Sequence, residues 1–543
     1  MLCFILPSCN TSNENENFSE VQLDSNQLNR FLANDSALFY VAVDVKQFYN
    51  KRNHVFAWFS DGNLNPTGLN FYNQLQNSMY DFGDSTLFDP KLDSVMSLDI
   101  DDLDDFAQKN ANQEMLEIKL TVSYFRYSKN EIMGKVQNIK NLDWFIPRKK
   151  QNIEGLLDSL LENDKKQYLT QPANLYYSKL KSELKKYLKI ERTKSWPVIT
   201  IEDTTGSDIQ LDSEVIGIKK ILRLGGDWVE NDTSAEITKT FKQAIIHYQN
   251  RVGLAENGLL DKATLKSLRI PVQHIVKQIV VNLERLRWLP DTIPADFILV
   301  NIPEYKMHVF ENGKPSWQSN VVVGKAAGRT QVFRGNLSQI VLNPSWGIPP
   351  GIAKNEVLPG IKKDISYLEK HEMEVYSGNT KVNPHKINWD KIGDHIPYNF
   401  RQTSGGENPL GQFKFFLSNS FWIYLHDSNE KYLFDDNKRA LSHGCIRVEK
   451  ARQLAEYLLN RQNLKLSTKS ENTVKKKNAL PIWNTERLNK LLNNTEDYGI
   501  SIEPSLPVYI VYFTAWVNQK GELNLRNDIY KKDPILANAI LEN

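Results

Sequence analysis

Cys445 lies in the run Leu441-Ser442-His443-Gly444-Cys445-Ile446-Arg447-Val448, and a second histidine, His426, stands nineteen positions upstream of it. Only the thiolate attacks a carbonyl carbon efficiently, and a free thiol titrates near ~8.5, so a group nearby must take the proton. An imidazole can do so, and Cys445 as nucleophile with His426 as general base, later protonating a leaving amine, make a unit for acyl transfer. Gly444 has no Cβ, so the backbone there turns sharply and can aim the Gly444 and Cys445 amides at a developing oxyanion. A zinc site draws on the same residue types, but three ligands without a CxxC or HExxH pattern make a weak case for one. Neither metal nor cofactor is implied.

The elements that must hold these groups are legible around them. Val448, Ala451, Leu454, Ala455, Leu458 and Leu459 recur at helical spacing and predict an amphipathic helix over 449–460, with Glu449 suited to its first turn. A cysteine just ahead of a helix has its pKa lowered by the positive end of the dipole. Upstream, Phe421-Trp422-Ile423-Tyr424-Leu425-His426 reads as a strand ending at the histidine, followed by the polar Asp427–Lys431 stretch.

Further out, short branched and aromatic runs at Phe297–Ile302, Met307–Phe310, Val321–Val323, Gln339–Leu342 and Phe413–Phe416 predict a β-rich sandwich over 297–462. The texture changes over 351–400, which includes Leu358-Pro359-Gly360 and Asn383-Pro384-His385, and this stretch reads as an insert. Residues 463–480, rich in lysine, read as a linker before a C-terminal segment ending at 543. Residues 205–272 form an amphipathic module with a turn at Asn257-Gly258, joined by a connecting helix over 273–296. From 18 to 204, aromatic runs such as Val55–Phe59 and leucine-spaced stretches at Ile153–Leu161 and Leu175–Leu188 predict a mainly helical domain. The fold class expected is multidomain α+β.

Ser442–Val448 preceded by His426 resembles the signature of the YkuD-type L,D-transpeptidases. Asn282–Trp288, Asn343–Pro349, Asn408-Pro409-Leu410-Gly411, Tyr424–Asp427, Thr514-Ala515-Trp516 and Asp528-Ile529-Tyr530 look like the larger, YcbB-like subgroup. The Phe48-Tyr49 and Ala57-Trp58 pairs loosely resemble that subgroup's scaffold domain, and 205–272 looks like the three-helix peptidoglycan-binding module. The resemblance implies attack by the cysteine on a peptidoglycan tetrapeptide stem, release of D-alanine, and a 3→3 cross-link made by a neighbouring stem's amine. It implies that the Asp427 backbone carbonyl orients the His426 imidazole, that Tyr424 lines the acyl pocket and that Arg447 has a structural or substrate-positioning role; Trp346, Arg439 and Ser442 are further candidates for the substrate, with Trp346 and Tyr424 equally readable as core aromatics. His443 stands where some subgroup members carry serine, which leaves its role between packing and help to the thiolate. The 351–400 insert becomes a capping lid, and carbapenem-type β-lactams become expected covalent inhibitors. The alternatives are an L,D-carboxypeptidase or endopeptidase using the same residues, and a non-catalytic wall-binding scaffold.

Composition sets outer limits. Of 543 residues, 41% are hydrophobic and 24% charged, with a net charge of +2, so the chain is an ordinary globular protein with no basic patch calling for nucleic acid. No apolar run of ~18 residues suggests a membrane span. The three cysteines give no disulfide framework. Leu6-Pro7-Ser8-Cys9 loosely resembles a lipobox and Asn10–Asn17 a polar tether, so 1–17 reads as a truncated lipoprotein signal with Cys9 lipidated. The location expected is the cell envelope, in the periplasm, with any membrane contact made through that anchor.

Overall fold

The computed structural model describes residues 21–97, 106–148, 151–162, 175–201, 211–290, 292–393, 395–470 and 482–541. The signal and tether expected over 1–17 lie outside the described residues, as does the linker over 471–480. Two compact units emerge: Met1–Lys135 with Lys149–Lys194, and Val136–Arg148 with Ser195–Asn543.

The first unit is mainly helical, with helices at Ser25–Ala33, Phe39–Lys51, Pro66–Phe82, Phe106–Ile132, Ile153–Glu162 and Leu175–Arg192. Local signals set several ends: Asn65 caps the third helix by accepting from the Gly68 amide, Pro66 begins it, and Gly83 closes it in the left-handed region. The core is aromatic, with Trp58 stacked on Phe71 and Tyr124 edge-on to Phe71 and Phe125. At its centre the buried Glu117 carboxylate accepts from the Tyr49 hydroxyl at 2.7 Å and from the Ala57 and Trp58 amides at 2.6 and 3.0 Å. The two residue pairs prominent in the sequence, Phe48-Tyr49 and Ala57-Trp58, are thus joined through one carboxylate.

The second unit opens, apart from Val136–Arg148, with the helices Leu211–Gly225, Lys239–Val252 and Lys262–Leu268. The fully buried Gln249 amide ties their connections together: its Nε2 donates to Asn257 Oδ1, the Leu259 carbonyl and Thr264 Oγ1, and its Oε1 accepts from the Gly258 amide. That explains a small polar residue before Gly258 and a threonine in the third helix. The connecting helix, Val272–Arg287, is pinned to the C-terminal segment by Asn282, whose side chain exchanges two hydrogen bonds with Thr514, and by Arg285, which lies 2.7 Å from Asp533.

The β-rich part differs from the sandwich expected. Strands Phe413–Leu417, Leu425–His426, Ile446–Val448, Lys314–Gly324, Lys306–Glu311, Phe297–Asn301, Tyr498–Val511 and Val332–Leu342 follow one another in space, and the last pairs back onto the first. Leu337–Leu342 is hydrogen-bonded on both sides, so the sheet closes into a barrel and removes its own edges. Closure depends on a strand from the C-terminal segment, 498–511, paired with Phe297–Asn301 on one side and Val332–Leu342 on the other. Trp144–Phe145 also adds to Val332–Phe333, so Val136–Arg148 belongs here and interrupts the helical domain expected over 18–204.

The insert is wider than the 351–400 expected. Its four-stranded sheet runs Thr380–Val382, Met373–Ser377, Asn399–Gln402, Trp346–Gly347, and it has its own core of Val357, Ile361, Leu368, Val375, Trp389 and Phe400. The helix after Cys445 spans Ala451–Ser470 and runs through the start of the expected linker. No helix among the described residues is long and apolar enough to cross a membrane.

Candidate active site

Three neighbouring strands place the reactive groups. Leu425–His426 pairs antiparallel with Phe413–Leu417, setting Lys414 directly opposite His426, and parallel with Ile446–Val448, setting Ile446 opposite Leu425. The Ile446 amide donates to the Tyr424 carbonyl at 3.1 Å, which draws Cys445 alongside Tyr424. Side chains on one face of a strand recur every second residue, and the Tyr424 and His426 rings accordingly sit 5.6 Å apart. The strand expected over 421–426 is confined to its last two residues; Asn419 folds the preceding segment by accepting from the Phe421 and Ile423 amides.

Cys445 is followed by the strand Ile446–Val448, not by a helix, whose first residue is Ala451. The helix dipole expected to acidify the thiol is therefore displaced, and burial pushes the Cys445 thiol up from its ordinary value. The Tyr424 backbone and hydroxyl and the charge of Lys414 oppose that rise. The Tyr424 phenol is itself held up by burial and by the thiol it faces, and the Trp346 side chain bonds the same hydroxyl. Trp346 thus reaches the Tyr424 hydroxyl that faces the sulfur, although Trp346 comes from the edge of the insert sheet. The thiol also lies 3.7 Å from the carbonyl of Trp422, a residue with φ 59° and 89% exposure. Sequence reasoning did not single out Trp422 as part of the site; left-handed backbone at a bulky residue is a strain that functional sites tolerate.

His426 is buried, and desolvation together with the Arg447 charge brings its pKa down to about 3. Lys414 adds to that depression, while backbone groups of Asp427 and Pro409 oppose it. Those two must act as carbonyls, since proline has no N–H and the Asp427 amide is spent on Phe413. Neither makes a well-aligned hydrogen bond, for Nδ1 has no partner among the described residues. The Asn408-Pro409-Leu410-Gly411 motif builds this wall. Buried Asn408 donates to the Pro344 and Thr403 carbonyls and accepts from the Leu410 amide, and Gly411, at φ 58°, leaves no room for a Cβ, which would lie 2.5 Å from Asp427 Oδ2.

The turn before Cys445 is shaped from both sides. Gly444 adopts φ 131°, a conformation that favours glycine. Its amide donates to Ser442 Oγ at 3.1 Å, and Ser442 donates in turn to the Cys445 carbonyl at 2.6 Å. The Gly444 amide proposed for the oxyanion is thus already engaged, leaving the Cys445 amide as the candidate donor. From the other side Thr330 Oγ1 donates to the Gly444 carbonyl at 2.8 Å, and the Tyr530 hydroxyl accepts from the Thr330 amide and donates to the Gly324 carbonyl. These supports were not foreseen, because 330 and 530 meet only once the barrel closes.

Several expected substrate contacts have other employment. Ser442 is buried and shapes the turn. Arg439 is buried too, and its guanidinium bonds the carbonyls of Val321, Asp436 and Tyr305. Arg447 pairs with Glu430 and reaches Ser428, so it fixes the loop after His426. His443 points outward: its Nε2 lies 3.2 Å from Glu356 of the insert and 3.3 Å from Lys325, so its protonation decides which it bonds.

Residues 295–476 match the L,D-transpeptidase catalytic domain (YkuD), and residues 43–184 match a scaffold domain. A Haemophilus influenzae protein named "Putative L,D-transpeptidase" is 34% identical over 287 residues, 52% of this chain and 54% of that protein. The chain thus spans about half the length of the curated relative it matches. Among solved structures, an L,D-transpeptidase (Yku) from Stackebrandtia nassauensis is 13% identical, covering 48% of this chain and 91% of its own, with a TM-score of 0.20. The Ldtfm–avibactam carbamoyl enzyme is 11% identical, covering 34% and 58%, with a TM-score of 0.16. The catalytic region thus matches the YkuD family of L,D-transpeptidases, a cysteine-dependent enzyme family, over residues 295–476, and the region before it matches a scaffold domain over 43–184.

Proposed function

We propose that the protein forms 3→3 peptidoglycan cross-links as an L,D-transpeptidase of the YcbB-like subgroup. The observation that carries this reading is Cys445 facing the Tyr424 hydroxyl, with Trp346 on that hydroxyl and buried His426 beside the Tyr424 ring, on a barrel flanked by a separately cored insert. The resting pair is a neutral thiol and a neutral imidazole, since burial raises one and lowers the other. On binding of the donor stem, the Cys445 proton passes to His426 as sulfur attacks the carbonyl carbon of the third residue. The oxyanion forms against the Cys445 amide. Collapse breaks the C–N bond, the imidazolium gives its proton to the departing D-alanine amine, and a thioester remains. The side-chain amine of a second stem then attacks the thioester, loses its proton through His426, and the thiol is regenerated. The insert shields the thioester from water, which favours the amine.

The helical module over 211–268 supports a peptidoglycan-binding role, and both substrate and module suit a periplasmic enzyme, with Cys9 as the site of a lipid anchor. Carbapenem-type β-lactams acylate Cys445 in this reading, because they resemble the acyl donor.

The test is mass spectrometry of products from purified protein and disaccharide-tetrapeptide, beside Cys445→Ala. Cysteine-dependent dimers lacking one D-alanine support the transpeptidase. Cysteine-dependent tripeptide alone replaces it with a carboxypeptidase, and product from neither protein rejects both.

A further inference from the structure

Lys414 is the one group of the cluster that the reaction above leaves unused. It faces His426 across the strand pair, and its Nζ sits 4.0 Å from the centroid of the Tyr424 ring and 4.7 Å from that of Phe416. It is half-buried. Among the described residues it has neither an ion pair nor a hydrogen bond. Asp497, the carboxylate whose charge it feels, is held by Ser345 at 2.8 and 2.9 Å and by Arg401 at 3.6 Å. Burial accordingly holds the Lys414 amine below the usual lysine value, with the Cys445 charge opposing. Aromatic faces offset part of the desolvation cost, but a lysine in such a place is normally paired. Several other charged groups near Cys445 have partners: Arg447 has Glu430, Asp427 has Lys431, and His443 has Glu356.

We propose that Lys414 is a specificity residue: with the Tyr424 face it forms a carboxylate subsite beside Cys445 that takes the terminal carboxylate of the departing residue. The substrate named here rests on the transpeptidase reading. The carboxylate of a terminal D-alanine lies three bonds from the carbonyl carbon under attack, whereas in a stem extended by one residue that position is an uncharged amide. A cation at this place therefore selects donors whose leaving residue is the last one. It also offsets negative charge on sulfur, and its effect on His426 is the reverse, so it favours thiolate without favouring imidazolium.

Alkylation of Cys445 tests the subsite without any turnover. Iodoacetate and iodoacetamide differ in a carboxylate replaced by a neutral amide, and both rates are read by mass on the peptide carrying Cys445. The expected result is that Lys414→Met lowers the iodoacetate-to-iodoacetamide rate ratio about tenfold, and that Lys414→Arg restores most of it. If both rates fall in parallel, Lys414 acts on the thiolate alone and the subsite is overturned; an unchanged ratio overturns it equally. Wild-type protein that alkylates with the expected ratio but makes no product from disaccharide-tetrapeptide would reject the transpeptidase and leave the carboxylate subsite standing.

Discussion

Two buried clusters of titratable groups, one in the scaffold domain and one in the catalytic domain, are built on opposite terms. Around Glu117 each carboxylate oxygen has a donor, from Tyr49, Ala57 or Trp58, and Thr121 Oγ1 serves both the Tyr49 hydroxyl and the Trp58 indole. Around Cys445 the Nδ1 of His426 has no partner among the described residues, Lys414 has no counter-ion there, and Trp422 is held at φ 59°. A closed polar network specifies a fold; an open one keeps groups in reserve for something that arrives later. The difference teaches where to expect loss of fold and where loss of chemistry.

The sharpest contrast comes from deleting the sulfur. Cys445→Ala should abolish turnover, by a factor on the order of 10³ or more, while leaving the melting profile nearly unchanged, since the thiol makes only weak sulfur contacts, with the Trp422 carbonyl at 3.7 Å and with the Tyr424 hydroxyl. Scanning calorimetry beside product analysis checks both halves; a clear loss of stability would place Cys445 among the structural groups.

The reverse is expected at Glu117. Replacing it by leucine strands the Ala57 and Trp58 amides in the core, and two orphaned buried donors cost about 4 kcal/mol together. Amide exchange at 57 and 58 should accelerate strongly, with the iodoacetamide rate of Cys445 unaltered. A scaffold that keeps its protection would show that the network contributes little.

Protonation separates the clusters by sign. Glu117, pushed up to about 6 from 4.5 by burial, holds its proton more tightly in the fold than when unfolded. Its stabilisation is present below about pH 4.5 and is lost as pH rises through 6, a change of about 2 kcal/mol. His426, brought down to about 3 from 6.5, resists protonation in the fold, so the catalytic domain gains stability as pH rises from about 3 to 6.5. Amide exchange normalised to the unfolded rate, for peptides within 106–132 and 413–426, should show opposite slopes, flattened by Glu117→Gln and His426→Gln respectively. Parallel slopes would refute the contrast.

Much of the catalytic cluster was legible because its residue types and spacings are demanding. Cys445 and His426 needed only the motif and its spacing, and Tyr424 followed from the resemblance that places an aromatic residue two positions before the histidine. Lys414 was not legible, since a lysine between phenylalanines in a strand reads as a solvated face until its neighbours are known. Ile446-Arg447-Val448 is too short for periodicity, so the strand that separates Cys445 from the helix predicted over 449–460 was not foreseen. Arg439 and Ser442 stood among the substrate candidates, and only coordinates show that backbone carbonyls already use them. In the scaffold the helices were visible in leucine spacing, but Glu117 was not, for nothing in a sequence marks one acidic residue as the buried one.

The smallest expected effect lies between the two extremes, at a closed network that serves the open one. Tyr530 donates to the Gly324 carbonyl at 2.5 Å and accepts from the Thr330 amide, while Thr330 holds the Gly444 carbonyl and thereby the turn that aims the Cys445 amide. Tyr530→Phe removes one hydroxyl and orphans one buried amide, a cost of about 1–3 kcal/mol to the fold. Because the turn is loosened rather than lost, turnover should fall about tenfold with KM little changed, since misplacing an oxyanion donor affects the transition state more than binding. Thr330→Ser keeps the hydroxyl and should retain most activity, whereas Thr330→Val should match Tyr530→Phe. A Tyr530→Phe protein that melts lower yet turns over at the wild-type rate would mean that the Gly444 turn holds its shape unaided, and would move Tyr530 to the same class as Glu117.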